Sequence, residues 1–93
     1  MIFLVQSTTI SQAATGEFVY HETKGGTAKS LYNPEDGPCY TVKIAAETLT
    51  ENLTNRDALL YVEPDCQGHP YSRLTPKQKH TFDQAFVGVR FER

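Results

Sequence analysis

Helical periodicity is scarce in this chain, and turn-forming residues recur along it. Gly25-Gly26, the run Asn33-Pro34-Glu35-Asp36-Gly37-Pro38, the triplet Glu63-Pro64-Asp65 and Gln67-Gly68 each favour a chain reversal. Glycine takes positive φ freely, proline presets φ, and asparagine or aspartate bonds back to its own backbone. Apolar stretches between these breaks alternate in polarity. In GEFVYHE, Phe18 and Tyr20 share one face and Val19 and His21 the other; in PCYTVKIA, Tyr40, Val42 and Ile44 oppose Cys39, Thr41 and Lys43. A period of two is the signature of a strand. ALLYVE and FVGVRFE read as further strands, rich in β-branched and aromatic residues. Two stretches are expected to hold short helical turns: AAETLTEN, and TPKQKHTFDQ with Thr75 as N-cap and Pro76 at the first helical position. Short strands, close turns and no strand–helix–strand alternation predict an all-β fold, an antiparallel sandwich or barrel.

At 93 residues the chain is one domain whose limited burial makes a covalent staple valuable. Its two cysteines, Cys39 and Cys66, are too few for a four-cysteine zinc site and are not spaced as Cys-x-x-Cys. An even count in a small, turn-rich domain points to one bridge made in an oxidising compartment; two free buried thiols are the alternative. Closing that bridge would stabilise the fold by roughly 3–4 kcal/mol. Nine basic and eleven acidic residues give a net charge of −2 without a basic run, so neither nucleic acid nor an anionic membrane is an expected partner. No apolar segment is long enough to span a bilayer as a helix. The apolar MIFLV at the start has no basic residues before it and is short for a signal sequence, while Ser11-Gln12-Ala13 has a small-x-small pattern. Residues 1–14 therefore read either as the remnant of a signal peptide or as an extra strand, and residues 15–93 as a single domain.

The two halves echo each other. Phe18 precedes Gly25 and Tyr61 precedes Gly68 by the same spacing; TAKSLY and HPYSRL follow, and YTVKI and VGVRF close the halves. These residues resemble the βγ-crystallin superfamily, whose Greek-key motif has an aromatic, six residues, a glycine and then a polar residue. Tyr61, Gly68 and Ser72 match that pattern, and Phe18, Gly25 and Ser30 match it more loosely. The resemblance covers roughly Gly16 to Arg93 and implies a Greek-key β-sandwich of two crystallin-like motifs. NPEDGPCY, ENLTNRDALLY and DCQG are similar to stretches of small secreted bacterial proteins with one such domain. In those proteins one disulfide joins the halves, which implies Cys39 to Cys66 here. Many members also bind calcium through Asn/Asp-Asn/Asp-x-x-Ser/Thr-Ser. NLTNRD departs from that motif at Leu53 and Arg56, and DQAFVG keeps Asp83 but has Val87 and Gly88 in place of hydroxyls. Calcium needs several convergent oxygens, so Asn52, Asn55, Asp57 and Asp83 are candidates for weak binding at most, and no other cofactor is implied.

The remaining chemistry has a plain reading beside each active one. Cys66 with His69 would make a nucleophile–base pair, and Cys39, Cys66, His69 and His21 a metal site, but both compete with the bridge. Glu35, Asp36, Glu63 and Asp65 would serve a small hydrolase if the bridge gathered their loops; in turns, acids are more often solvated or capping. Lys77 to His80 reads as the exposed face of a helical turn, and Asn52-Leu53-Thr54 is a glycosylation sequon of a kind that arises often by chance. Tyr20, Tyr32, Tyr40, Tyr61 and Tyr71 exceed what a small core hides, which leaves some for the core edge or a contact patch. The loop Asn33 to Pro38, anchored at Cys39, is the candidate binding loop, since a preorganised loop binds at lower entropic cost. The expectation is a secreted, non-catalytic domain with a binding or structural role and a protein as its target. A protease inhibitor or an antimicrobial, toxin-like protein is the alternative.

Overall fold

The computed structural model describes residues 13–92, so most of the segment 1–14 lies outside the described residues. Ala13 and Ala14 already belong to the packed body: Ala13 pairs with Glu35 in an isolated bridge and Ala14 is buried. The described residues form eight strands, β1 (Gly16–His21), β2 (Ala28–Tyr32), β3 (Cys39–Ile44), β4 (Leu49–Thr54), β5 (Asp57–Tyr61), β6 (Ser72–Leu74), β7 (Lys79–Thr81) and β8 (Phe86–Glu92). They make two four-stranded antiparallel sheets, ordered β2-β1-β4-β7 and β3-β8-β5-β6. Each half of the chain thus keeps three strands together and lends its third, β3 or β7, to the other sheet.

Neither expected helical turn forms. AAETLTEN turns at Ala46–Glu47 and then runs into β4. In TPKQKHTFDQ, Pro76 is followed by Lys77 at φ 67°, and the Gln78 amide donates to the Thr75 carbonyl at 3.0 Å. Proline second and positive φ third suit a type II turn, which delivers the chain into β7. Thr75 does not cap a helix; its amide donates to Gln78 Oε1 at 2.8 Å. The one helical piece among the described residues is a 3-10 turn at Pro64–Cys66.

The alternation in β1 and β3 holds: Phe18, Tyr20, Val42 and Ile44 face the space between the sheets with Ala58, Leu60, Leu74, Phe86, Val89 and Phe91. The rings of Phe18 and Phe91 meet edge to face across the two sheets, 5.5 Å apart at 81°. A second cluster lies on the outer side of the sheet β3-β8-β5-β6, where Leu59, Tyr61, Cys39 and Cys66 pack together. The segment after β5 folds back over this face and is tied down by the Cys39–Cys66 disulfide, with Cα atoms 5.7 Å apart. Gly88 of β8 lies directly beneath. A Cβ there would meet Cys66 Sγ at 3.1 Å and Cys39 Sγ at 3.3 Å, so this glycine is a matter of room. Gly25 and Gly68 are different: their φ values are 79° and 76°, with open space around a built Cβ, so conformation selects them. The spacing echo between the halves is not an equivalence of position. Phe18 points between the sheets, whereas Tyr61 belongs to the outer cluster.

β4 inverts the expectation of apolar residues inside. Thr50, Asn52 and Thr54 are its buried residues, and Leu49 and Leu53 face outward. Asn52 explains the choice. Its Nδ2 donates to the Arg56 and Leu74 carbonyls at 2.7 and 2.8 Å, and its Oδ1 accepts from the Thr54 hydroxyl and amide at 2.7 and 3.1 Å. Its backbone also bonds Lys77 and Gln78. One side chain therefore ties the β4–β5 turn to β6, and a buried amide so satisfied is worth its burial.

Two outcomes follow from this packing. Asn52→Ala, which removes four buried side-chain hydrogen bonds and the amide donor to the Leu74 carbonyl, should cost about 3 kcal/mol in urea unfolding, against under about 1 kcal/mol for the outward Leu53→Ala; the reverse order would refute the facing of β4. Burial raises the Tyr20 phenol above its ordinary value, with the charge of Glu22 adding and Lys29 opposing. The unfolded chain then releases this proton first as pH rises, so its stabilisation is complete below about pH 10 and is lost above it. Melting temperature should fall less steeply between about pH 9.5 and 11 in Tyr20→Phe than in the parent.

Candidate functional site

Residues 33–38 run from the end of β2 to Cys39 at the start of β3, and nearly every position is held by a different part of the fold. Asn33 adopts φ 46°, which asparagine tolerates. Its amide donates to the Gly16 carbonyl and its Oδ1 accepts from the Gly16 amide, both at 2.8 Å. Pro34 is buried and its carbonyl accepts from Ala14 at 2.7 Å. The Glu35 amide donates to the Tyr40 hydroxyl at 2.8 Å. Asp36 Oδ2 accepts from Arg56 Nε at 3.0 Å, with 15% and 17% of the two side chains exposed, so this pair is well shielded from salt and water. The Gly37 amide donates to the Phe91 carbonyl at 3.0 Å, and Cys39 closes the run through the disulfide. What is left facing solvent is Asn33, Glu35, Gly37 and Pro38, with Tyr32 just before them at 71% exposure. The sequence marked this loop through its turn residues. It could not mark Arg56, twenty positions on, because nothing local signals a cross-chain ion pair.

The remaining candidates are dispersed. Cys66 is in the disulfide, so it makes no thiolate pair with His69, which is exposed. His21 sits with Nδ1 3.0 Å from the Leu49 carbonyl. Among the described residues no three His, Cys, Asp or Glu side chains are grouped to hold a metal ion. Of the proposed calcium ligands, Asn52 is wholly committed inside, Asn55 Oδ1 accepts from Thr15 at 2.7 Å, and Asp57 is paired with Arg73. Asp83 lies after β7, whose Thr81 pairs with Leu49 at the start of β4. Asn55 follows the far end of that strand, roughly 20 Å away by strand rise. Asn52 is also closed to glycosylation in the folded chain, because its amide nitrogen is buried and doubly bonded. Of the four turn acids, Asp36 is taken by Arg56, while Glu35, Glu63 and Asp65 are exposed. Lys77 to His80 are exposed as expected, but on a turn and an edge strand. Of the tyrosines only Tyr32 and Tyr71 are largely exposed; Tyr20 and Tyr61 are buried.

A groove of about 380 Å3 lies between the β1–β2 turn and the β3–β4 loop, lined by His21, Gly25, Gly26, Thr48 and Leu49 and crossed by the Lys24–Glu47 pair. Lys24 bonds the Glu47 carboxylate and holds it below its usual value. The two charges satisfy each other, leaving the groove little net attraction for an ion. No described helix is long and apolar enough to cross a membrane. No protein-family model matches the chain, and neither does any curated protein or solved structure.

Removing one partner of the shielded ion pair should release the loop. Arg56→Ala is expected to cost about 2–3 kcal/mol and to speed amide exchange at Gly37 selectively over β5 and β8. Uniform acceleration across all three would mean that the pair supports the whole fold rather than the loop.

Proposed function

We propose that this chain is a secreted, non-catalytic binding domain of crystallin-like double Greek-key build, which presents residues 33–38 to a protein target. The observation that carries this reading is the fixing of the loop by Gly16, Ala14, Tyr40, Arg56 and Phe91 while Glu35, Gly37 and Pro38 stay exposed. A loop already ordered in the free protein does not lose that freedom on binding. The exchange of β3 and β7 between the sheets supports kinship with the βγ-crystallins, since it interlocks two four-strand units. The disulfide supports an oxidising, extracellular setting. The non-catalytic reading draws support from the commitment of Asp36 to Arg56 and of Cys66 to the bridge.

A protease is the target this geometry suits best. A loop bonded on both sides keeps its ends together after cleavage, which disfavours product release and favours a stable complex. The test is a panel of serine, cysteine and metalloproteases assayed with the parent protein and with a variant carrying Gly-Ser residues at 33–38. The expected result is inhibition of at least one protease, weakened by about 1.4 kcal/mol, or tenfold, in a variant that keeps its near-ultraviolet circular dichroism. An unchanged inhibition constant would remove the loop from the mechanism, and no inhibition by the parent would remove the protease.

A further inference from the structure

At the side of the sandwich opposite β2 and β3, the edge strands β6 and β7 flank a cavity of about 170 Å3 lined by Ser72, Arg73, Leu74, Gln78, His80 and Phe82. A cavity of about 150 Å3 takes one six-membered ring. The lining decides which kind. Arg73 bonds Asp57 and Glu92, so its charge is already answered and offers little to an anion. Gln78 Oε1 accepts from the Thr75 amide and hydroxyl at 2.8 and 3.1 Å, which orients the side-chain amide and leaves its Nε2 hydrogens to donate elsewhere. One wall is apolar and preset. Phe82 packs edge to face on Phe86 at 5.1 Å, His80 stands 4.6 Å from Phe82, and Tyr71 extends the row at 5.5 Å from Phe86.

We propose that this cavity binds one pyranose unit of a neutral saccharide. A pyranose has one face of C–H groups and a rim of hydroxyls. The face packs on the Phe82 ring, and the rim meets Ser72 Oγ, Gln78 Nε2 and the His80 imidazole. An aromatic hydrocarbon of the same size would offer those three polar groups no partner, and a charged ligand meets no unanswered opposite charge in the lining. The site is remote in sequence from the 33–38 loop and does not rest on the reading given to that loop.

The test uses the whole chain, 15N-labelled and disulfide-bonded, titrated separately with the methyl glycosides of glucose, galactose and mannose, with N-acetylglucosamine, and with phenol and glucose 6-phosphate as comparators. The expected result is saturable amide shifts at Ser72, Gln78, His80 and Phe82 with at least one neutral sugar, at a dissociation constant on the order of millimolar. Gln78→Ala and His80→Ala should each weaken that binding by about fivefold, the worth of one hydrogen bond, while keeping the near-ultraviolet circular dichroism of the parent, and the Gly-Ser loop variant should bind as the parent does. Absence of saturable shifts with all four neutral sugars would overturn the proposal. So would tighter binding of phenol or glucose 6-phosphate than of every neutral sugar, or a site that both alanine variants leave unaltered.

Discussion

The covalent tie between Cys39 and Cys66 governs more of this molecule than its two residues suggest. It joins β3, the strand that the first half lends to the second sheet, to the 3-10 turn that follows β5. Through that junction the segment after β5 is held over Leu59 and Tyr61, which would otherwise be apolar side chains on an open sheet face. Cys66 itself adopts φ 52° and Asp65 φ 61°, a left-handed pair that needs surrounding structure to hold it. Arg90 completes the cover, with its guanidinium 5.4 Å from the Tyr61 ring centre and Nη2 donating to the Cys66 carbonyl at 3.4 Å. The bridge also fixes the far end of the 33–38 loop. A domain this small gains from a cross-link on both counts, through the entropy of the unfolded chain and through a second core that the sandwich interior alone does not supply.

Polar bonding does for the other sheet what sulfur does for this one. Asn52 sits where a leucine would be expected and carries four side-chain hydrogen bonds. Its neighbours Leu49 and Leu53 are displaced outward, 38% and 46% exposed. Satisfied buried amides favour one register strongly, because a slip by one residue would turn the amide out and leave its partners unbonded. The exchanged β7 is short and exposed, and the bonds from Asn52 to Lys77 and Gln78 place it against β4.

Much of this was legible in the residues. β1, β3, β5 and β8 follow from alternation and β-branched content, and the turns from their glycines, prolines and acids. The all-β class needs nothing more. β4 was not legible, because LTENLT invites the leucines inward and the bonds of Asn52 to the Arg56 and Leu74 carbonyls, outside the strand, explain why they face out. β7 was hidden behind a proline and a run of good helix formers, where a positive φ at Lys77 overrides propensity. At the candidate loop the sequence located the turn and its disulfide anchor, while the Tyr40 hydroxyl and the Arg56 guanidinium that hold it arrive from tertiary structure. The aromatic row from His80 to Tyr71 was likewise invisible, since it assembles only when two edge strands from different sheets approach.

Among the described residues β2 ends its sheet and has no strand paired on its other side. Lys29 is the second residue of that strand, opposite Tyr20 and therefore on the interior side, with its ammonium drawn out to Glu22 at 3.2 Å. A second chain adding itself along this edge would have to enclose that ammonium or break its pairing. Such inward charges on border strands guard against open-ended strand addition. The Lys29–Glu22 pair thus makes this border a poor template for a further strand.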